Sequence, residues 1–171
     1  CSPAATTASL INFPDDGLFV RTTPSDAMVA LAMAQEVAQT GVNSTVLAYP
    51  DDPFGRDVAI EVRRALSQQS IELGAEQPYG TADDVYVDDV AALTADGPRV
   101  ITLIGDQESG GRFLSAIYAN GIDTDVVVND ALAGADLSAD TNLGSPSRRR
   151  TTGIAIDAGE SPFADATIDC I

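Results

Sequence analysis

The residues of this 171-residue chain that could take part in chemistry are mainly carboxylates. Acidic residues number 26 and basic residues 9, every basic residue is arginine, and there is no histidine. The chain therefore has no imidazole base for a Ser-His-Asp triad, no histidine ligand for zinc and no lysine to activate a nucleophile. Paired carboxylates can hydrolyse glycosides, but nothing in the sequence selects such a pair. These residue types favour binding over catalysis.

Acidic and glycine-rich motifs have local explanations. The acid pairs at 83–84 and 88–89 could converge on calcium, but they lack the glycine-centred loop of a calcium hand, so a solvated helix face is favoured. The pair at 51–52 resembles the acidic pocket of a phosphoacceptor domain, which also needs a lysine. The segment GDQESGG at 105–111 lacks the Lys-Ser/Thr ending of a phosphate loop, and we interpret it as a strand-to-helix turn.

The charge of the chain limits its partners. The formal net charge is −17, so nucleic acids and anionic membrane surfaces would be repelled. The basic cluster at 148–150 is interpreted as a loop that offsets nearby acids. An apolar content of 44% is enough to form a core, which argues against disorder, and the length suits one domain. No apolar run approaches the roughly 20 residues that span a bilayer.

The two cysteines, Cys1 and Cys170, lie at opposite ends of the chain. They are either unrelated thiols or partners in a disulfide, which would need an oxidising compartment and close termini. Cys1 followed by Ser2 is also similar to the lipid-modified first residue of an exported lipoprotein. The sequence leaves these alternatives open.

Helical and β-type segments alternate along the chain. Helices are predicted over 27–39, with Ser25 or Asp26 as N-cap, and over 55–69, 84–94 and 110–120. Strands are predicted over 44–49, 71–77, 99–104, 125–128 and 152–156, with a further short strand at 18–21 and a polar loop at 138–150. Continuous apolar strands are typical of a parallel sheet covered on both faces. The sequence therefore predicts an α/β fold with a doubly wound parallel sheet flanked by helices.

Polar loops follow three of the predicted strands. They carry the sequences PDD at 50–52, GDQ at 105–107 and ND at 129–130. In such a sheet ligands bind at the carboxyl ends of the strands. The three loops are therefore predicted to cluster along one edge of the sheet, where a ligand would lie.

Four segments are specific when their order and spacing are taken together. They are CSPAATTASL at 1–10, LFVRTTPSD at 18–26, VLAYPDDPFGRD at 46–57 and the strand-helix-strand unit at 100–130. In this order the chain resembles type I periplasmic binding proteins, in particular the branched-chain amino-acid class of ABC-transporter solute-binding proteins. The resemblance implies a two-lobed clamp. Residues 1–25 would be a flank of the first lobe and hinge crossover, 26–157 the second-lobe α/β domain, and 158–171 a return crossover or tail.

The resemblance also assigns residues to the binding of an amino acid. The backbone of Ala4 and the hydroxyl of Thr6 match positions that hold the ligand α-carboxylate, and neutral donors can do this without burying a second charge. Asp130 matches the acidic residue that pairs with the α-ammonium group. For each matched residue the alternative is an ordinary structural role in a loop.

The walls of the pocket depart from the family pattern. Phe54 lies where the family usually has tyrosine, so its ring could pack on a ligand while the hydroxyl contact is lost. Asp106 or Gln107 lies near a second aromatic position, and neither is aromatic. The resemblance therefore implies an amino-acid-like ligand but does not favour a leucine-type pocket.

The function that the resemblance implies is solute binding for an ABC importer. The protein would be extracytoplasmic, with or without a lipid anchor, would bind an amino acid or a related small amide or carboxylate by hinge closure, and would act with a permease and without a cofactor. The alternatives are the sensor domain of a receptor and an enzyme of the Rossmann or flavodoxin type. Family members are longer, so we expect a fragment with one wall of the cleft and very weak binding on its own.

Overall fold

A parallel five-stranded sheet forms the centre of the structure. The computed structural model describes residues 2, 4–83, 85–133 and 151–153. The strands are β1 (Ser44–Pro50), β2 (Glu72–Tyr79), β3 (Val100–Leu103), β4 (Asp125–Val128) and β5 (Thr151–Gly153). Their order in the sheet is β2-β1-β3-β4-β5, and all neighbouring pairs are parallel. The direction of winding reverses between β1 and β3, which is the switch point where such sheets bind ligands.

Helices connect and cover these strands. They are α1 (Asp26–Gln39), α2 (Pro53–Gln68), α3 (Val87–Leu93), α4 (Ser109–Ala119) and α5 (Asp130–Ala133), and a 3₁₀ helix at Ala8–Asn12 precedes them. Helix α2 begins at Pro53 because Asp52 accepts a hydrogen bond from the N–H of Gly55 at 2.7 Å. Helix α1 is followed by Gly41, whose φ of 77° suits the turn that ends a helix.

Both faces of the sheet are buried. Side chains of α1 and α2 cover one face, and side chains of α3 and α4 cover the other. Because neighbouring residues of a strand point to opposite faces, Leu47 joins the first cluster while Val46 and Ala48 join the second. Burial on both faces explains why β1, β3 and β4 are continuous apolar runs.

Strand β2 differs from this pattern because it lies at the edge of the sheet. Its residues alternate between exposed and partly buried positions. Arg63 of α2 holds Glu76 of this strand, with Nε and Oε2 2.9 Å apart. The prediction of a continuous apolar strand is therefore wrong for β2, since an edge strand has fewer neighbours to pack against.

The predicted doubly wound α/β fold is confirmed. Every helix and strand predicted between residues 27 and 128 is present, and no boundary moves by more than three residues. The strand predicted at 18–21 is reduced to one parallel bridge between Ser2 and Arg21. The strand predicted at 152–156 begins at Thr151, and its last three residues lie outside the described residues. Also outside the described residues are the predicted loop at 138–150, the tail after 157 and both cysteines. The domain boundaries stay predictions.

Candidate functional site

The amino ends of the five α-helices in the described residues meet the carboxyl edge of the sheet. Helices α2, α3, α4 and α5 each follow a strand, and α1 leads into β1, so all five begin at this edge. The predicted site residues Phe54, Asp106, Gln107 and Asp130 lie in the loops or first turns there. The predicted clustering of the three polar loops along one edge therefore agrees with the topology.

In the loop between β1 and α2, both acidic side chains form contacts with other residues of the chain. Asp51 is paired with Arg56 at 2.7 Å, and Asp52 caps α2. Phe54 follows with 42% of its surface exposed, which is unusual for a large aromatic side chain. This loop therefore carries a partly exposed aromatic ring, and both of its acids are engaged in contacts with the chain itself.

The loop between β3 and α4 is stabilised by Asp106. Its carboxylate accepts hydrogen bonds from the backbone N–H of Ser109 at 2.7 Å and from the Ser109 hydroxyl at 2.9 Å. Partial burial raises the pKa of Asp106, but these bonds, with further N–H groups of Glu108 and Gly110, outweigh it and lower the pKa. Gln107 is exposed beside it. Asp106 is thus ionised and stabilises the start of α4, and its side chain remains exposed at the surface.

The same loop depends on a close approach of two glycines. An added Cβ on Gly105 would lie 2.6 Å from Cα of Gly110 and 2.6 Å from the hydroxyl of Tyr79. The N–H of Gly105 donates to Oδ1 of buried Asn129 at 3.0 Å, which ties the ends of β3 and β4 together. The interpretation of this segment as a strand-to-helix turn agrees with this geometry, and we name residues 105–110 the β3–α4 junction.

A second acid, Asp26, lies buried at the same edge. It is the first residue of α1 and is only 7% exposed. Burial raises the pKa of its carboxyl group, the neighbouring Thr6 hydroxyl lowers it as a hydrogen-bond donor, and Asp130 raises it again by charge repulsion. Arg21 lowers and Asp57 raises this pKa to a smaller extent. The structure therefore brings together Thr6, Asp26 and Asp130, which we name the acidic corner.

The segment that carries Thr6 is held in place by backbone contacts. The N–H of Asp26 donates to the carbonyl of Thr6 at 2.8 Å. The Ser2 hydroxyl accepts the N–H of Ala5 at 3.1 Å and, in a longer contact of 3.4 Å, the N–H of Ala4. Ala4 is exposed, so its N–H is only weakly engaged. Ala4 and Thr6 thus lie on one short loop, and Thr6 contacts the acidic corner.

A polar groove opens beside the acidic corner. It has a volume of about 310 Å³, lies between the 3₁₀ helix and α2, and is lined partly by Asp26, Asp57 and Arg64. Among the described residues, no group of three His, Cys, Asp or Glu side chains is arranged to hold a metal ion. No helix in the described part of the chain is both long and apolar enough to cross a membrane.

Asp26 is a candidate site residue that the sequence pattern alone does not identify. The sequence predicts Ser25 or Asp26 as the helix cap, and in the structure Ser25 occupies the N-cap position without a side-chain capping bond. The signal available in the sequence is topological. A helix that leads into the first strand of a parallel sheet begins at the carboxyl edge, so an acid in its first turn lies beside the ligand edge.

Comparisons with known proteins agree with this architecture. The sequence profile of a family described as periplasmic binding protein matches residues 2–146. An ABC transporter substrate-binding protein from Desulfitobacterium hafniense, solved in complex with Leu, is 26% identical, with a TM-score of 0.63 over 76% of this chain and 39% of that chain. No curated protein matches the sequence.

Two further solved structures share the fold at lower identity. A branched-chain amino acid ABC transporter protein from Thermus thermophilus with bound valine is 17% identical, with a TM-score of 0.69 over 81% of this chain and 37% of that chain. A solute-binding protein from R. palustris in complex with 4-hydroxybenzoate is 14% identical, with a TM-score of 0.60 over 66% of this chain and 32% of that chain. The chain thus spans between 32% and 39% of the length of these three structures.

Proposed function

The chain belongs to the periplasmic binding protein family, whose members bind solutes and are not enzymes, and on that premise we propose that it forms one wall of a solute-binding site. The family description implies an extracytoplasmic location. In this proposal the protein binds an amino acid or a related small amide or carboxylate. It serves an ABC importer and delivers its ligand to the permease.

The acidic corner carries this proposal. Asp26 is buried, Asp130 and Asp57 act on its carboxyl group by charge repulsion, and one guanidinium, that of Arg21, acts in the opposite direction. Buried acids are costly unless a positive charge or hydrogen-bond donors reach them. An ammonium group of a ligand supplies both, since it donates up to three hydrogen bonds and carries the missing charge.

The loop with Ala4 and Thr6 supports a carboxylate at the other end of the same ligand. Its available donor is the neutral and weakly engaged N–H of Ala4, since the single hydrogen of the Thr6 hydroxyl is donated to Asp26, and the amino end of α1 at this edge adds a favourable electrostatic field. An α-amino acid has its ammonium and carboxylate groups on one carbon, so adjacent acceptor and donor sites suit it. The position of Asp130 in the acidic corner is consistent with the role that the family resemblance implies.

The far end of the ligand would face Phe54, Asp106 and Gln107. Burying the ionised carboxylate of Asp106 against a branched alkyl group would cost free energy, because no donor on the ligand would replace water. A polar or amide side chain that stacks on Phe54 avoids that cost. We therefore propose an amino acid with a polar side chain in preference to leucine or valine.

The named ligands of the relatives help to separate the two ends of the site. Leu, valine and 4-hydroxybenzoate, each bound by a different relative, share a carboxylate, but only the two amino acids have an ammonium group. The acidic corner favours the amino acids over the benzoate. In this proposal, affinity comes from hinge closure between two lobes. The ligand contacts both lobes and stabilises the closed state.

A thermal-shift screen tests the proposal on the protein with both lobes. The probes are L-glutamine, L-arginine, L-leucine and 4-hydroxybenzoate, because a ligand that binds only the folded state raises Tm. We expect the largest rise with a polar amino acid and none with 4-hydroxybenzoate. Asp130→Asn should abolish the rise, whereas Asp51→Asn, at an exposed ion pair, should retain it. A protein whose Tm responds to no amino acid would contradict the proposal.

A further inference from the structure

Arg21 contacts both ends of the loop at 2–7, which carries Thr6 of the acidic corner. Its backbone lies in the parallel bridge with Ser2, where the N–H of Ser2 donates to Val20 at 2.8 Å and the N–H of Thr22 donates to Ser2 at 3.3 Å. The Arg21 side chain is partly buried and reaches the far end of the same loop. One residue therefore fixes both ends of the loop at 2–7.

The guanidinium of Arg21 donates to carbonyl groups. Nη2 donates to the carbonyl of Thr7 at 2.9 Å, and Nη1 donates to the carbonyl of Thr6 in a longer contact of 3.4 Å. The Thr6 carbonyl also accepts the N–H of Asp26. Because this carbonyl has two donors, the orientation of Thr6 is fixed and its hydroxyl is directed toward the carboxyl group of Asp26.

The charge of Arg21 has a separate effect from its hydrogen bonds. Within the described residues Arg21 forms no ion pair with Asp26 at 4.0 Å or less, so the guanidinium acts on that carboxyl group through space. The other groups that face Asp26 are Asp130 on α5 and Asp57 on α2. Arg21 therefore adds a positive charge near Asp26 without pairing with its carboxylate oxygens, which accept a hydrogen bond from Thr6.

We propose that Arg21 is the positioning residue of this site: it anchors the ligand-binding loop by two carbonyl groups and places a positive charge beside Asp26 without pairing with it. A direct ion pair would occupy the oxygens that a ligand ammonium needs, and a missing charge would leave three carboxyl groups unopposed. This role rests on the proposed function, because it explains how the acidic corner stays ready for an ammonium group.

Two substitutions separate the charge of Arg21 from its geometry. Arg21→Lys keeps the charge but loses the planar fork that reaches two carbonyl groups at once, whereas Arg21→Gln loses both. The first readout is the pKa of the Asp26 carboxyl group, followed by NMR in the 171-residue chain and assigned with Asp26→Asn. The second readout is hydrogen exchange of the Asp26 amide, which bonds to Thr6.

We expect Arg21→Gln to raise the pKa of Asp26 and to speed exchange of its amide by roughly tenfold, the loss of about one hydrogen bond. Arg21→Lys should speed exchange similarly but leave the pKa near the wild-type value. Arg99→Gln, at the start of β3 on the opposite edge of the sheet, should change neither. An unchanged pKa in Arg21→Gln would overturn the proposal.

The Lys variant keeps the test valid if Arg21→Gln does not fold. A protected Asp26 amide in Arg21→Lys would show that the two carbonyl contacts do not hold the loop, and would also overturn the proposal. Neither readout uses a ligand. Failure of the amino-acid screen would therefore contradict the proposed function without changing these results, and the two proposals can fail separately.

Discussion

The β3–α4 junction and the acidic corner both place an aspartate at the amino end of a helix, but the two environments are opposite. At the junction, Asp106 accepts two hydrogen bonds from Ser109, and its pKa is lowered. In the acidic corner, burial of Asp26 and the negative charge of Asp130 raise the pKa of its carboxyl group. The first acid stabilises its own helix, whereas the second costs stability unless something outside the described residues neutralises it.

This difference gives a physical criterion for separating structural acids from ligand-binding acids. Sequence position alone does not separate them, since both occur near the start of a helix at the same sheet edge. An acid that is satisfied by its own helix needs no ligand. An acid buried near like charges is retained at a cost, which is expected at a functional site.

Among substitutions in the candidate site, the largest predicted effect is on the packing of the junction. Gly105→Ala should lower the free energy of unfolding by roughly 2–3 kcal/mol, because the new Cβ would lie 2.6 Å from Gly110 Cα and from the Tyr79 hydroxyl. Urea unfolding measures this loss. The matched control is Gly111→Ala, where a Cβ meets no heavy atom within 4 Å and alanine favours the helix by up to about 1 kcal/mol. Equal stability of the two variants would contradict the close approach.

A smaller effect is expected for the acid of the junction. Asp106→Ala should cost about 1 kcal/mol at pH 7, the usual loss for a helix-capping residue. The folded pKa of Asp106 lies below its unfolded value, so its contribution is present above the unfolded pKa and is lost as pH falls through the folded value. Urea unfolding between pH 7 and about pH 3 should therefore show the variant and the wild type converging at low pH.

Gln107→Ala is the control for this comparison. Gln107 is exposed and adjacent, so its replacement should change the free energy of unfolding by less than about 0.5 kcal/mol at every pH. A deficit in Asp106→Ala that persists unchanged at pH 3 would show that the carboxylate is not what stabilises α4.

The smallest effect is expected for the aromatic ring at the switch point. Phe54→Ala should change the free energy of unfolding by less than about 0.5 kcal/mol, because the ring is 42% exposed. Phe113→Ala, at a fully buried ring in the core, should cost about 3–5 kcal/mol. Both losses are measured by urea unfolding. A loss of 2 kcal/mol or more for Phe54→Ala would place its ring in the core and remove it from the ligand wall.

The fold could be predicted from the sequence because the local pattern of apolar residues agrees with the positions that are buried in the folded chain. Helix α4 and strand β4 are predicted within one residue, since their apolar positions are those that the sheet buries. The largest difference is at the start of α3, predicted at residue 84 and observed at Val87. Acids favour a helix start, but Tyr86 is drawn into the core, where its hydroxyl donates to Gly80 at 2.8 Å.

The site follows from the sequence only in part. Asp130 could be proposed because the resemblance to a family supplied its position, and the polar loops could be placed at one edge by the rule for parallel sheets. Asp26 could not, because an acid at a helix start has an ordinary explanation as a cap. Its burial and its approach to Asp130 and Thr6 depend on contacts between distant segments, which local patterns do not contain.

The free energy of unfolding of Asp26→Asn tests the central claim most directly. The folded pKa of Asp26 is raised, so its ionised form costs stability above the folded pKa, and the cost disappears as pH falls toward the unfolded value. We predict that Asp26→Asn is more stable than the wild type at pH 7, by up to about 1 kcal/mol, and that this advantage shrinks as pH falls and is lost below about pH 4. A variant less stable than the wild type at pH 7 would show that Asp26 supports the fold, and would contradict its assignment to a ligand.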